Sequence, residues 1–511
     1  MGNSQSSASP AAIEPAVEKI LVQQLQNLRT RDKIRQLEIE KEYIHVDAEK
    51  GIPQAYSADP TLSVKAAEAW EKELLADPKN RLALNALLSN DIRSVVSNKV
   101  ATLTDTQTFN VKIPFEGSPV TNQRSSGRCW LFATTNVLRV AVMKKHNLKE
   151  FELSQAYLFF WDKLEKANWF LEQMIDTASQ ELDSRLVQEL LGAPVNDGGQ
   201  WDMAANLVAK YGLVPQKLYP DSYNAMNSSA MGSILTTKLR EDGLVLRSMI
   251  NTPSMKKSSI IAAKAKMMQE VHCILTLMLG PPPKPDEKFT WEYYDANDKY
   301  SKVVKTPLEL AAELSSPSVV RSLNANVSEL FSLVNDPRNK YNQLMTVERL
   351  GNVVGGRPIT YVNVDMTTMK KATIAMLRAG LPVFFGSDVG KFSNSTSGIM
   401  DPALYDYGLA FNVSLNLSKS QRLKVRESAM THAMVLTAVQ VEDGKPVRWR
   451  VMNSWGDAAG EKGYFVMTDK WMDEFVYQVV VDPGFVGKDI KDLLKTEPLV
   501  LPLWDPMGAL A

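Results

Sequence analysis

The feature that most constrains this chain is a pair of apolar segments joined by a turn. His432 to Val441 is one apolar run, Glu442-Asp443-Gly444-Lys445-Pro446 is a cluster of turn formers, and Val447 to Met452 alternates apolar with polar. That pattern specifies a β-hairpin. Antiparallel pairing brings the start of the first strand beside the end of the second, so His432 and Asn453 should meet within a residue or two of register. A histidine on an apolar strand is ordinarily a satisfied core residue. Asn453 at the open end of the hairpin changes that reading, because an amide oxygen accepting from one imidazole nitrogen leaves the other to face a nucleophile. The neighbouring Ser454-Trp455-Gly456 adds an aromatic ring, Trp455, able to shield such a bond from water.

The nucleophile is expected some three hundred residues earlier. Residues 109–122 read as extended chain punctuated by Pro114, Gly117 and Pro119, leading into Gln123-Arg124-Ser125-Ser126-Gly127-Arg128-Cys129-Trp130. Cys129 opens a helical pattern in which Leu131, Val137, Leu138, Ala141 and Val142 share a face, ending near His146-Asn147. A thiol at a helix N-terminus sits in the positive end of the helix dipole, which favours the thiolate. Most lone cysteines are inert and buried, so position alone would not single out Cys129.

Together these residues resemble the papain-like cysteine peptidases, whose signatures include C-G-[SA]-C-[WY] at the nucleophile and Asn-Ser-Trp-Gly at the orienting asparagine. Here they read Ser126-Gly127-Arg128-Cys129-Trp130 and Asn453-Ser454-Trp455-Gly456. Ser126 stands where secreted members carry a disulfide-forming cysteine. The resemblance implies a Cys129–His432–Asn453 triad, with Gln123 donating its amide to the oxyanion beside the Cys129 backbone N–H. It also implies that Gly198 and Gly199 line the substrate cleft together with Trp455.

Spacing narrows the comparison. Papain-type enzymes place the histidine and asparagine roughly 130–150 residues after the cysteine, whereas His432 lies 303 residues after Cys129. Residues 148–157, Asn196-Asp197-Gly198-Gly199-Gln200, residues 427–434 and the ending Trp504-Asp505-Pro506-Met507-Gly508-Ala509-Leu510-Ala511 look like those of the bleomycin hydrolases, over nearly everything after about residue 60. The implied fold is α+β, a two-lobed papain-like peptidase with a helical lobe, a β-rich lobe and a large helix-rich insertion. Its expected parts are a leader with an amphipathic helix (1–60), the helical lobe with the nucleophile (61–212), the insertion (213–350), the β-rich lobe (351–495) and a tail in the active-site cleft (496–511). A strong helical pattern over 258–279, stopped by Gly280-Pro281-Pro282-Pro283, marks the insertion.

The tail Leu501-Pro502-Leu503-Trp504-Asp505-Pro506 is apolar and stiffened by two prolines, so it can lie in a groove at little ordering cost. A carboxylate at Ala511 would then pair with a substrate's α-ammonium, which would make the enzyme an aminopeptidase. Peptides and small amides such as bleomycin are the substrates the resemblance implies, and a homohexamer is the assembly. Some members also bind nucleic acid through a basic channel. With 58 basic and 58 acidic side chains, this chain has no global field drawing it to nucleic acid or to an anionic membrane. The balance neither supports nor excludes such binding, and nucleic acid is carried as a weak partner. Two rival readings use the same residues: a thiolactone-hydrolysing or acyl-transfer enzyme, and a nucleic-acid-binding hexamer with incidental peptidase activity.

Two cysteines, Cys129 and Cys273, fit a reducing compartment, with the cytosol as default and a mitochondrial pool compatible with the same chemistry. No apolar run reaches the ~18 residues needed to span a bilayer. Met1-Gly2-Asn3-Ser4-Gln5-Ser6 fits an N-myristoylation pattern at Gly2, although one acyl chain binds membranes only marginally. No phosphate-binding glycine loop and no metal-ligand spacing occur, so no cofactor or metal is expected. His272-Cys273 reads as core packing within its helix.

Overall fold

The structure, a computed structural model, describes residues 61–323 and 326–510. Gly2, the amphipathic pattern of residues 13–50 and Ala511 lie outside the described residues. The chain divides into two units. One takes in the chain up to Ser97 with Tyr405–Ser418, and the other comprises Asn98–Leu404 and Lys419–Ala511.

The first unit contains helices Val64–Ala76 and Pro78–Ser89, articulated at Asp77. Asp77 ends the first helix and caps the second through Lys79 N–H, with Pro78 at the first helical position, where its missing N–H costs nothing. Neither helix buries a full apolar face. Val64, Leu82 and Leu88 are each at least 70% exposed, and Leu409, Phe411, Val413, Leu415 and Leu417 are exposed on the second segment of this unit.

The second unit is built on a sheet of twelve strands among the described residues. From one edge the order runs 499–501, 343–347, 361–363, 331–334, 476–481, 383–387, 432–442, 445–452 and 464–468, with short strands beyond. The central strands Val383–Ser387 and Val476–Val481 are buried along their whole length, and His432–Glu442 for its first eight residues. Their unbroken apolar runs follow from cover on both faces. Cys129–His146 packs on the His432 strand and is buried on all sides from Cys129 to Met143, not along one face as expected. Among its polar members Thr135 donates to Leu131 O and Arg139 donates to Pro119 O and Phe151 O, whereas Thr134 Oγ1, Asn136 Oδ1 and Arg139 Nε are buried without a partner among the described residues.

The hairpin is the one the sequence specifies, with a tighter turn. Its strands are His432–Glu442 and Lys445–Met452, leaving Asp443-Gly444 as a two-residue turn with both φ positive, the geometry that matches strand twist. The pairing Val435↔Met452 and Glu442↔Lys445 centres the hairpin on that turn, one residue beyond the expected midpoint.

The expected 258–279 helix is Lys257–Leu279. It packs with Ser229–Ile250 against Gln155–Asp176. The stretch 213–350 also contributes a separate hairpin, Phe289–Tyr294 with Tyr300–Lys305, and the sheet strands Phe331–Val334 and Gln343–Val347. The expected core packing of His272-Cys273 does not occur, because the buried face of this helix runs through Met267, Val271, Leu275 and Leu279 and turns both residues outward.

Candidate active site

The His432 strand and the end of its hairpin partner bring two predicted residues into contact. His432 Nε2 lies 2.9 Å from Asn453 Oδ1, and Asn453 Oδ1 also accepts from the Ser454 N–H at 2.8 Å. An oxygen facing a backbone donor fixes the amide orientation, so Nε2 is the imidazole nitrogen that carries hydrogen and Nδ1 is left as the acceptor. The hairpin ladder ends at Val435↔Met452; His432 pairs with Ser387 and Trp455 bridges Asn122, so Asn453 meets His432 beyond the ladder. The Trp455 indole lies against the imidazole, with ring centroids 4.9 Å apart, and Phe465 packs edge-on to Trp455 from behind.

Cys129 begins its helix and is 2% exposed. The backbone N–H of Ala433, the residue after His432, faces its thiol, so the cysteine and the histidine strand meet at this point. Burial pushes the thiol up to about 11, against the pull of the Ala433, Trp130 and Cys129 N–H groups. Burial likewise brings His432 down to about 4, partly offset by the bond to Asn453. Taken singly, both groups rest uncharged. In so dry a site a thiolate and an imidazolium stabilise one another as a pair formed by a single proton transfer.

Gln123 is held from both sides. Its backbone N–H donates to Ser454 O at 2.8 Å, its Oε1 accepts from Ser454 Oγ at 2.7 Å, and its Nε2 donates to Ser126 O at 2.6 Å. One of the two Nε2 hydrogens remains for another acceptor. The next turn of chain is tied by Ser126, whose hydroxyl donates to Gln123 O and accepts from Arg128 Nε. Gly456, at φ +81°, lets this loop approach: a Cβ there would lie 2.6 Å from Asn122 Nδ2.

Gly199 forms a wall against Trp130, the residue after Cys129. A Cβ on Gly199 would lie 2.5 Å from the Trp130 indole, so the close approach at this glycine is made by the residue next to Cys129. Gly198 O accepts from Lys166 Nζ at 2.5 Å, and Trp130 Nε1 donates to Asp197 O at 2.7 Å. A cavity of about 380 Å³ opens beside this wall, lined by Ser126, Gly127, Asn196, Asp197, Ser228 and Thr236 among others.

Several residues that hold this arrangement carry no local sequence signal. Arg128 is fully buried and makes a two-pronged ion pair with Asp221, at 2.6 and 3.3 Å. Lys163, also fully buried, pairs with Asp197 at 2.6 Å. Burial opposes the Asp197 charge, yet Lys163, Ser228 and the Gly127 N–H hold its carboxyl down to about 2. Their partners lie 93 and 34 residues away in sequence, so only an aligned family or a fold could have paired them.

The family model for the Peptidase C1-like family matches residues 61–508. The chain belongs to the Peptidase C1-like family. It is a cysteine peptidase of papain-like fold, 45% identical over 459 residues to the bleomycin hydrolase of Homo sapiens, covering 88% of this chain and 99% of that protein. It is 44% identical to "Cysteine proteinase 1, mitochondrial" of Saccharomyces cerevisiae (strain JAY291), covering 88% of this chain and 93% of that one. Among solved structures, that of pepW from Lactobacillus rhamnosis matches the peptidase with a TM-score of 0.83 at 41% identity, covering 88% of this chain and all of the other. Among the described residues no helix of the peptidase is long and apolar enough to cross a membrane.

Proposed function

We propose that this peptidase is an aminopeptidase of the bleomycin hydrolase type, removing N-terminal residues from peptides and hydrolysing related small amides such as that of bleomycin. In the reaction, His432 Nδ1 takes the Cys129 proton, and the sulfur attacks the substrate carbonyl. The second Nε2 hydrogen of Gln123 and the Cys129 N–H receive the oxyanion. Asn453 holds the imidazole in the acceptor tautomer while Trp455 keeps water from that bond. His432 then protonates the leaving amine, and a water deprotonated by the same imidazole releases the acyl group.

The observation that carries the exopeptidase reading is the seating of the tail. Gln200 directly follows Gly199, which lies on Trp130, and its amide donates to Ala509 O at 2.8 Å and Met507 O at 3.3 Å. Residues 507–509 thus lie within a few residues of the nucleophile's wall, where they would stop a longer chain from extending past its N-terminus. Deleting residues 505–511 should let the enzyme cut N-terminally blocked peptides. Unchanged selectivity for free N-termini in the truncated protein would refute the reading.

The assembly we propose is a homohexamer, on the bleomycin hydrolase resemblance. The apolar side chains exposed by residues 61–97 and 405–418 support self-association, since such surface on a monomer is ordinarily covered. Sedimentation at several concentrations tests it. Nucleic acid is at most a weak, salt-sensitive partner of a chain with balanced charge. A cytosolic location is supported by hydrogen bonding at Ser126 in place of a disulfide, and Gly2 acylation is open to mass spectrometry.

A further inference from the structure

Gln200 occupies the N-cap of helix Trp201–Tyr211, yet its side chain makes no capping bond. It is 1% exposed, and all of its polar groups are engaged elsewhere: Nε2 on Ala509 O and Met507 O, and Oε1 accepting from the Tyr361 hydroxyl. A flipped amide would turn its oxygen onto two carbonyl oxygens, so Tyr361 locks the donor side toward the tail. The same tail is held further back by parallel pairing of Leu499–Leu501 with Met345–Val347, by Arg338 bridging Asp336 and Asp505, and by Trp504 on the Arg185 guanidinium. Of these anchors, Gln200 alone is continuous with the glycine wall packed on Trp130.

We propose that Gln200, oriented by Tyr361, is a positioning residue that sets the reach of the tail in the cleft and thereby the preference for a free N-terminus. This rests on the reading of the tail given above, and it separates two tasks. The strand and Asp505 keep the tail attached, whereas Gln200 fixes the depth at which its last residues lie. Loosening this one amide should widen specificity without removing the tail or touching the groups that do the chemistry.

The test compares the full-length enzyme, Gln200→Glu and the 505–511 deletion on two fluorogenic amides, one aminoacyl with a free amine and one N-acylated dipeptidyl. Gln200→Glu keeps size and the Tyr361 partner but replaces the donor with a group that can donate only when protonated. The ratio of kcat/KM for blocked over free substrate should rise at least tenfold in Gln200→Glu at alkaline pH, because burial beside two carbonyl oxygens raises the new carboxyl and delays its ionisation. It should return toward the full-length value as pH falls and the new carboxyl protonates, a pH dependence that a general loosening of the fold would not give. Hydrogen exchange in residues 502–510 should rise in parallel. If Gln200→Glu fails to bind a thiol-directed inactivator stoichiometrically, Tyr361→Phe is read the same way. A ratio that rises on deletion but not in either point variant would overturn the clamp and leave the tail reading intact. A ratio unmoved by deletion would overturn both.

Discussion

Two helices start at this site, and comparing them with the helices elsewhere in the same unit is instructive. Away from the site, Ser154, Ser184 and Asp365 each accept from an N–H in the first turn of their own helix, as good N-caps do. At the site, the N-cap residues are Arg128 and Gln200, and neither caps its helix. Arg128 carries only donors, which go to Asp221 and Ser126, and Gln200 accepts from Tyr361 and donates to the tail. In the first turn of the Cys129 helix the Leu131 N–H donates to Arg128 O, while those of Cys129 and Trp130 face the thiol. At both helix starts the N-cap side chain holds other parts of the site instead of its own first turn.

The comparison breaks most visibly at the chemistry itself. His432→Ala should lower kcat by about 10³-fold or more, because general base catalysis of this kind contributes about 10²–10⁴, with little change in thermal unfolding; a full-rate variant would remove His432 from the mechanism. Next in size is Arg128→Met. Leaving Asp221 without its buried partner should cost about 3 kcal/mol in urea unfolding, since Arg128 ties the helix start to Asp221 and to Ser126. Asn453→Ala should lower kcat by about 10²-fold through loss of the tautomer, with KM nearly constant. Smallest is Ser184→Ala, which removes the bond from the Val187 N–H and should cost about 1 kcal/mol of stability while leaving kcat/KM unchanged. A larger stability loss at Ser184 than at Arg128 would reverse the contrast.

Much of this was legible in the sequence where the signal is local. The turn formers at 442–446 and the apolar alternation around them give the hairpin, and Cys129 opening an apolar helix gives the second element of the site. The register was displaced because the turn closes on Asp443-Gly444, and the ladder ends at Val435↔Met452. Asn453 still reaches the imidazole because the chain leaves the ladder there and the side chain spans the offset. What the sequence hid are pairings of remote residues. A buried arginine or lysine looks like an ordinary surface charge until Asp221 or Asp197 is folded against it. Nothing near Gln200 in the sequence reveals its partner more than three hundred residues away. The expectation for His272-Cys273 fails by a phase error, because the buried stripe passes through Val271 and Leu275.

The central claim is that Cys129 becomes a nucleophile only by passing its proton to His432. The rate of iodoacetamide alkylation at Cys129 against pH, in a Cys273→Ser background that removes the exposed second thiol, tests it most directly. In the otherwise native enzyme the reaction should persist well below pH 6.5, because burial brings His432 down to about 4 and keeps it a competent base there. In His432→Ala it should survive only as pH climbs toward the value of about 11 to which burial drives the lone thiol. Identical pH profiles for the two proteins would contradict the account.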